Sequence, residues 1–200
     1  MILYYSPGAC SLADHIALCE ADFPFKLAKV DLKSHRTEIG GDYLAINPKG
    51  YVPALEFDGG GILTENVAIL SWIADRAPQL ALPGEMGRYR LLEALAFIST
   101  EIHKTFKPFF DPSARADAKQ AAGGRIAQRL GFLAERLSGD FLFGDFTVAD
   151  AYLFVMLAWA KRQAIEAPAA FAGYFERVSS RPAVLAALRD EGMTALAAAA

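Results

Sequence analysis

The chain has 200 residues, enough for one large domain or two small ones, and it is 54% hydrophobic with a formal net charge of −3. That balance supports a real core and excludes a disordered chain. No basic stripe marks a nucleic-acid binder, and no apolar run approaches the ~20 residues of a membrane-spanning helix. The start, MILYYSPGACS, has no basic segment ahead of its apolar run, so it reads as a strand and not a secretory leader. The expected compartment is the cytoplasm.

The first eighty residues alternate between two periods. ILYY reads as a short strand, and SLADHIALCEA carries Leu12, Ile16 and Cys19 at helical spacing. FKLAKVDL is a half-buried strand. SHRTEIGGDYLAINPKG is polar and weakly helical, ended by Asn-Pro and Lys-Gly. VPALEF and ILT flank a DGGG turn and predict a hairpin. ENVAILSWIADRAP is an amphipathic helix stopped by Pro78. The order is βαβαββα, a small mixed sheet with helices on its faces.

Residues 81–87 form a linker rich in Pro and Gly, and no convincing strand follows it. RYRLLEALAFISTEIHKTFKPFF predicts one long helix, bent or ended near Pro108. DAKQAAGGRIAQRLGFLAERLSG predicts a second, weakened by Gly123-Gly124. TVADAYLFVMLAWAKRQ is apolar enough to be the central helix, headed by a Thr147–Asp150 capping box. AAFAGYFERVSS and AVLAALRDEGM are two more helices, and ALAAAA is a tail of low information.

Two cysteines are present, Cys10 and Cys19. On one helix they would lie roughly 13 Å apart along the axis and on opposite faces, which excludes a disulfide between them. No metal-ligand cluster appears. Cys10 follows a Pro-Gly turn and heads an apolar helix. It reads either as an active thiol in the field of a helix N-terminus, with a depressed pKa, or as a small residue in a tight turn. Cys19 reads as a helix-core thiol.

YYSPGACSLADHIAL, LAINPKGYVPAL, ILTENVAI, EIHKTFKPFF and FTVADAYLF, in this order over nearly the full chain, resemble the cytosolic glutathione S-transferases, and among them the bacterial beta class. The resemblance implies a thioredoxin-like glutathione-binding domain over 1–80, the linker at 81–87, and an all-helical domain with a co-substrate pocket over 88–200. It implies that Cys10 meets the glutathione sulfur and can form a mixed disulfide with it. Pro53 would follow a cis bond, and Val52 would offer its N–H and C=O to the cysteinyl backbone. Glu65 and Asn66, before an apolar helix, would hold the γ-glutamyl end, although the family usually has Ser or Gly at position 66. His35 stands where the beta-class pattern has a lysine for the glycyl carboxylate, with Lys33 and Arg36 as substitutes. Thr100, His103 and Lys104, three and four residues apart, share a helix face and would approach the sulfur, with His103 exchanging a proton with the thiol. The family's asparagine one turn earlier is Ala96 here. Tyr5 is second choice for activating the thiol, and His15 reads as structural. Phe106, Phe109 and Phe110 could line an apolar pocket or belong to the core.

The resulting expectation is a glutathione transferase acting on small hydrophobic electrophiles, either by thiolate attack on carbon or by thiol–disulfide exchange. The alternatives are a low-turnover glutathione- or hydrophobe-binding protein and a glutaredoxin-like oxidoreductase. Glutathione is the expected co-substrate, with no metal, no nucleic acid and no membrane. A homodimer is expected from the family, supported by the YVPALEF edge and the helix around RYRLLEALAF.

Overall fold

Strand β1 (Ile2–Tyr5) lies at the centre of a five-stranded sheet of order β3-β2-β1-β4-β5. Its alternation serves two faces. Leu3 and Tyr5 join the main core, while Tyr4 joins a smaller cluster with Val30, Tyr43, Val52 and Ala54. Strand β2 (Lys26–Asp31) runs parallel to β1, with Ile2 opposite Lys26. Strands β4 (Ala54–Glu56) and β5 (Ile62–Thr64) form the expected antiparallel hairpin, Leu55 opposite Leu63. Strand β4 also pairs antiparallel with β1. It is therefore an interior strand, and the YVPALEF segment offers no free edge for a partner. This computed structural model describes residues 1–194; the ALAAAA tail lies outside the described residues.

Helices α1 (Leu12–Glu20) and α3 (Asn66–Ala74) pack on the main-core face. The stretch expected to be weakly helical divides instead into an edge strand and one helical turn. Asp31 accepts from Lys33 N at 2.8 Å and from Ser34 Oγ at 2.9 Å, a turn that reverses the chain. Strand β3 (Arg36–Thr37) then pairs antiparallel with β2. Gly40, at φ +83°, makes the next turn, and Asp42 caps α2 (Tyr43–Ile46) by accepting from Leu44 N.

The second half is helical: α4 (Gly87–Phe97), α5 (Lys107–Phe110), α6 (Ala116–Ala134), α7 (Val148–Arg162), α8 (Ala170–Ser179) and α9 (Pro182–Asp190). Every residue from Val148 to Ala160 is buried, which makes α7 the central helix that its all-round apolarity requires. The Thr147–Asp150 capping box is present. Asp150 accepts from Thr147 N and Thr147 Oγ1 at 2.8 Å, and from Leu142 N and Tyr174 OH at 2.9 Å. Helix α6 runs unbroken through Gly123-Gly124, because Ala122, Ile126, Leu130 and Leu133 bury one stripe. Helix α1 packs against both α7 and α9, so sheet and bundle share one core.

The single long helix expected over 88–110 is not what forms. Between α4 and α5 the backbone widens to a π turn at Ile98–Ile102 and tightens to a 3-10 turn at His103–Phe106. The change of winding falls well before Pro108, which occupies the first turn of α5. Thr100 Oγ1 donates to Ala96 O at 3.0 Å and Thr105 Oγ1 to Glu101 O at 2.8 Å. Such back-bonding to the carbonyl four residues earlier bends helices.

Candidate active site

The turn Ser6–Ser11 delivers Cys10 to the head of α1. Gly8 takes φ +67°, and a side chain there would meet Met193 at 2.8 Å. Both of its peptide groups are held from the helical half. Gly8 N donates to Glu191 Oε2, and Trp159 Nε1 donates to Gly8 O, each at 2.8 Å. Glu191 in turn lies 3.0 Å from His15 Nδ1, both side chains fully buried, so His15 is structural as read. Cys10 Sγ lies 3.5 Å from Val52 O as a donor. Burial first, and then the nearby Asp14 carboxyl, push the Cys10 thiol up to about 12, against the pull of the α1 amides. The expected depression does not occur. Burial of the half-buried thiol outweighs the amides of Cys10 and Ser11 at the helix end. Both cysteines are free thiols, and burial also raises Cys19.

The sheet side of the cleft comes from two loops. The Val52–Pro53 peptide bond is cis. Val52 lines the cleft, and its N–H has no hydrogen-bond partner among the described residues. Glu65 sits at φ +76° between β5 and α3. It accepts from Lys49 Nζ and, at 2.6 Å, from Tyr51 OH, and these bonds lower its carboxyl below the usual range. Asn66 begins α3 and donates from Nδ2 to Cys10 O at 2.9 Å and to Asp14 Oδ2 at 2.7 Å.

The helical side comes from the altered winding. Ser99, His103, Lys104 and Lys107 line the cleft, with Phe110, Tyr152 and Trp159. His103 Nδ1 lies 2.6 Å from Tyr152 OH, and its ring meets the Trp159 ring edge-on at 5.2 Å. Burial, and then the charge of Lys104, lower the imidazole to about 4, so at neutral pH it is uncharged. Ser99 hydrogen-bonds the Tyr152 hydroxyl and eases its ionisation, as a donor does; burial nevertheless keeps the phenol raised. The whole cleft measures about 860 Å³.

Of the residues singled out from the sequence, Cys10, Val52, Pro53, Glu65, Asn66, His103 and Lys104 meet in this cleft. Thr100 does not. Ser99, four residues before His103, lines the cleft in its place, and Thr100 is exposed with its hydroxyl turned back to Ala96 O. Lys33 is exposed on the Asp31 turn, away from the cleft lining. His35, at φ +52°, tucks under Gly50 with its Nδ1 buried and unpaired. Tyr5 is buried in the core beside His15, outside the cleft. Phe110 lines the cleft and Phe106 is buried beneath it, the ring centroids 6.5 Å apart. Sequence reading missed Lys49, Tyr51, Ser99, Lys107, Tyr152 and Trp159. The Asn-Pro-Lys-Gly punctuation hid Lys49 as a turn residue, and Tyr152 and Trp159 were hidden in an apolar stripe. Among the described residues no group of His, Cys, Asp and Glu gathers as a metal site, and no helix is long and apolar enough to cross a membrane.

The fold and cleft define a class: a thioredoxin-like unit joined to a helical bundle, with one thiol at the head of the first helix and an imidazole facing it from the bundle. Residues 9–76 match the glutathione S-transferase N-terminal domain and residues 97–182 the C-terminal domain. The chain is 43% identical over 200 residues to glutathione S-transferase GstA of Escherichia coli O157:H7, covering 96% of this chain and all of that one. A sphingomonad glutathione S-transferase solved in complex with glutathione superposes with a TM-score of 0.90 at 47% identity. The beta-class enzyme of Sphingomonas chungbukensis does so with 0.89 at 45%; each alignment covers 96% of this chain and all of the other. The chain belongs to the glutathione S-transferase family of enzymes, close to its bacterial beta-class members.

Proposed function

We propose that the protein conjugates glutathione to small apolar electrophiles, and that Cys10 remains a thiol while it does so. The observation that carries this is that two groups held uncharged, the Cys10 thiol and the His103 imidazole, line one cleft. In this reading each turns a hydrogen to the glutathione sulfur, the thiol giving up Val52 O to do so. Placed between them, the sulfur of glutathione is stabilised as a thiolate. It attacks the electrophilic carbon, forming the S–C bond as the leaving group departs with its electron pair; the thiol proton passes to solvent. The residues fit the tripeptide. The unpaired Val52 N–H suits strand-like pairing with its backbone, the first amides of α3 suit the γ-glutamyl carboxylate, and Glu65 suits the ammonium. Lys104 and Lys107 add positive charge at the same cleft. Phe110, Pro112 and Trp159 give the second substrate an apolar wall.

Disulfide exchange through a Cys10–glutathione mixed disulfide needs the Cys10 thiolate, which its burial opposes. Conjugation and disulfide-reductase rates of Cys10→Ser separate the routes. The expected result is conjugation within about tenfold of the parent chain, since a hydroxyl still donates. Loss of conjugation by more than a hundredfold contradicts the proposal. Glutathione binding without turnover on a broad electrophile panel would instead support the low-turnover binder, and fast reduction of glutathionylated proteins the glutaredoxin-like reading. The functional units of this reading are 1–80 for glutathione and 88–200 for the second substrate, joined by 81–87, in a cytoplasmic homodimer. The dimer is supported by an apolar trough of about 580 Å³ between α3 and α4, lined by Leu63, Val67, Ala68, Leu91 and Leu92.

A further inference from the structure

We propose that Asp14 is a positioning residue of the glutathione site, acting through the Asn66 carboxamide on the main chain of Cys10. Asp14 lies in the first turn of α1 and is fully buried. It has no cation within ion-pair distance among the described residues. A buried acid with no counter-ion is costly and needs a reason beyond packing. Its side chain makes one hydrogen bond, to Asn66 Nδ2 through Oδ2, while Oδ1 is buried and unpartnered. Burial raises its carboxyl well above the usual range, and the Asn66 bond works against that shift.

The Asn66 amide is fixed on both sides. Cys10 O is a carbonyl and can only accept, so the group 2.9 Å from it is the NH2. Its second hydrogen goes to Asp14. With both hydrogens spent, Asn66 can offer a ligand only its carboxamide oxygen and its main-chain N–H. Asp14 therefore holds together three things the tripeptide must meet at once: the start of α3, the orientation of Asn66, and the carbonyl of the residue that carries the thiol. Without the carboxylate, Asn66 keeps one bond and can pivot about it.

This inference rests on the glutathione reading above, and the test keeps the two apart. Glutathione is titrated calorimetrically into the full-length parent, Asp14→Leu and Asp14→Asn, with KM for glutathione, kcat and melting temperature measured alongside. Leu fills the space without an acceptor, while Asn retains a carbonyl oxygen for Asn66 Nδ2. Asp14→Leu is expected to raise both Kd and KM for glutathione by about fivefold, the worth of one net hydrogen bond, with kcat at saturation changed less. Asp14→Asn is expected to keep Kd and KM within about twofold of the parent, whatever its melting temperature. Parent-like binding by Asp14→Leu overturns the inference, and so does an equal loss in Asp14→Asn. Absence of glutathione binding by the parent overturns the functional reading and this inference with it.

Discussion

At the scale of single residues, two groups that line the cleft are held uncharged. Cys10 and His103 are each half-buried at the cleft, and burial moves each away from its ionised form, the thiol upward and the imidazole downward. For His103 this has a consequence for stability. Its folded pKa of about 4 lies below the unfolded value of ~6.5, so between these values the unfolded chain binds more protons. Stability is unaffected above that window and falls as pH drops through it. The expected cost is roughly 1 kcal/mol at pH 5.5. Melting temperatures of the parent and His103→Gln across pH 7 to 5 check this: the parent declines more steeply, and parallel curves contradict the assignment. That Cys10 and His103 belong to one site was legible in the sequence, since each sits in a short motif. Their ionisation was not. It depends first on burial, which comes from the packing of the two halves, and only then on the sequence neighbours Asp14 and Lys104.

At the scale of elements, the segment between α4 and α5 decides which side chains reach the ligand. On a regular helix both Ser99 and Thr100 would neighbour His103; across the π turn Ser99 lines the cleft with His103, and Thr100 is exposed. The His103 ring bonds the Tyr152 hydroxyl. Sequence reading located this helix but assumed uniform winding, and left Phe106 open between pocket wall and core; Ile98, Ile102 and Phe106 are buried. Threonine back-bonds of four-residue reach are the local sign of the departure. The cap of α7 was legible because Thr147 and Asp150 answer each other over three residues; the added ligands Leu142 and Tyr174 are long-range and were not. The α3–α4 trough carries the prediction at this scale. Leu92, 38% exposed, is apolar on an open face, and Arg88 and Asp75 pair at the trough with Nε–Oδ1 2.9 Å. Sedimentation equilibrium is expected to return twice the chain mass for the parent and less for Leu92→Glu. A monomeric parent contradicts the dimer.

At the scale of the whole molecule, the turn that carries Cys10 is held by parts far from it in sequence. Trp159 of the central helix and Glu191 just past α9 clamp the two peptide groups of Gly8, and His15 on α1 braces Glu191. The order of strands and helices was readable from alternating periods, and so was the division into sheet and bundle. This clamp was not, because no spacing in SPGACS announces partners 151 and 183 residues away. The clamp places the Cys10 thiol in the cleft, 3.5 Å from Val52 O; the proposed conjugation makes it a donor to the ligand sulfur and not a nucleophile. The most direct test is intact-protein mass spectrometry during steady turnover with glutathione and an aryl halide. The predicted result is an unmodified chain throughout, with conjugate accumulating in solution. A chain carrying one glutathionyl group on Cys10, formed and consumed at the rate of turnover, would contradict it.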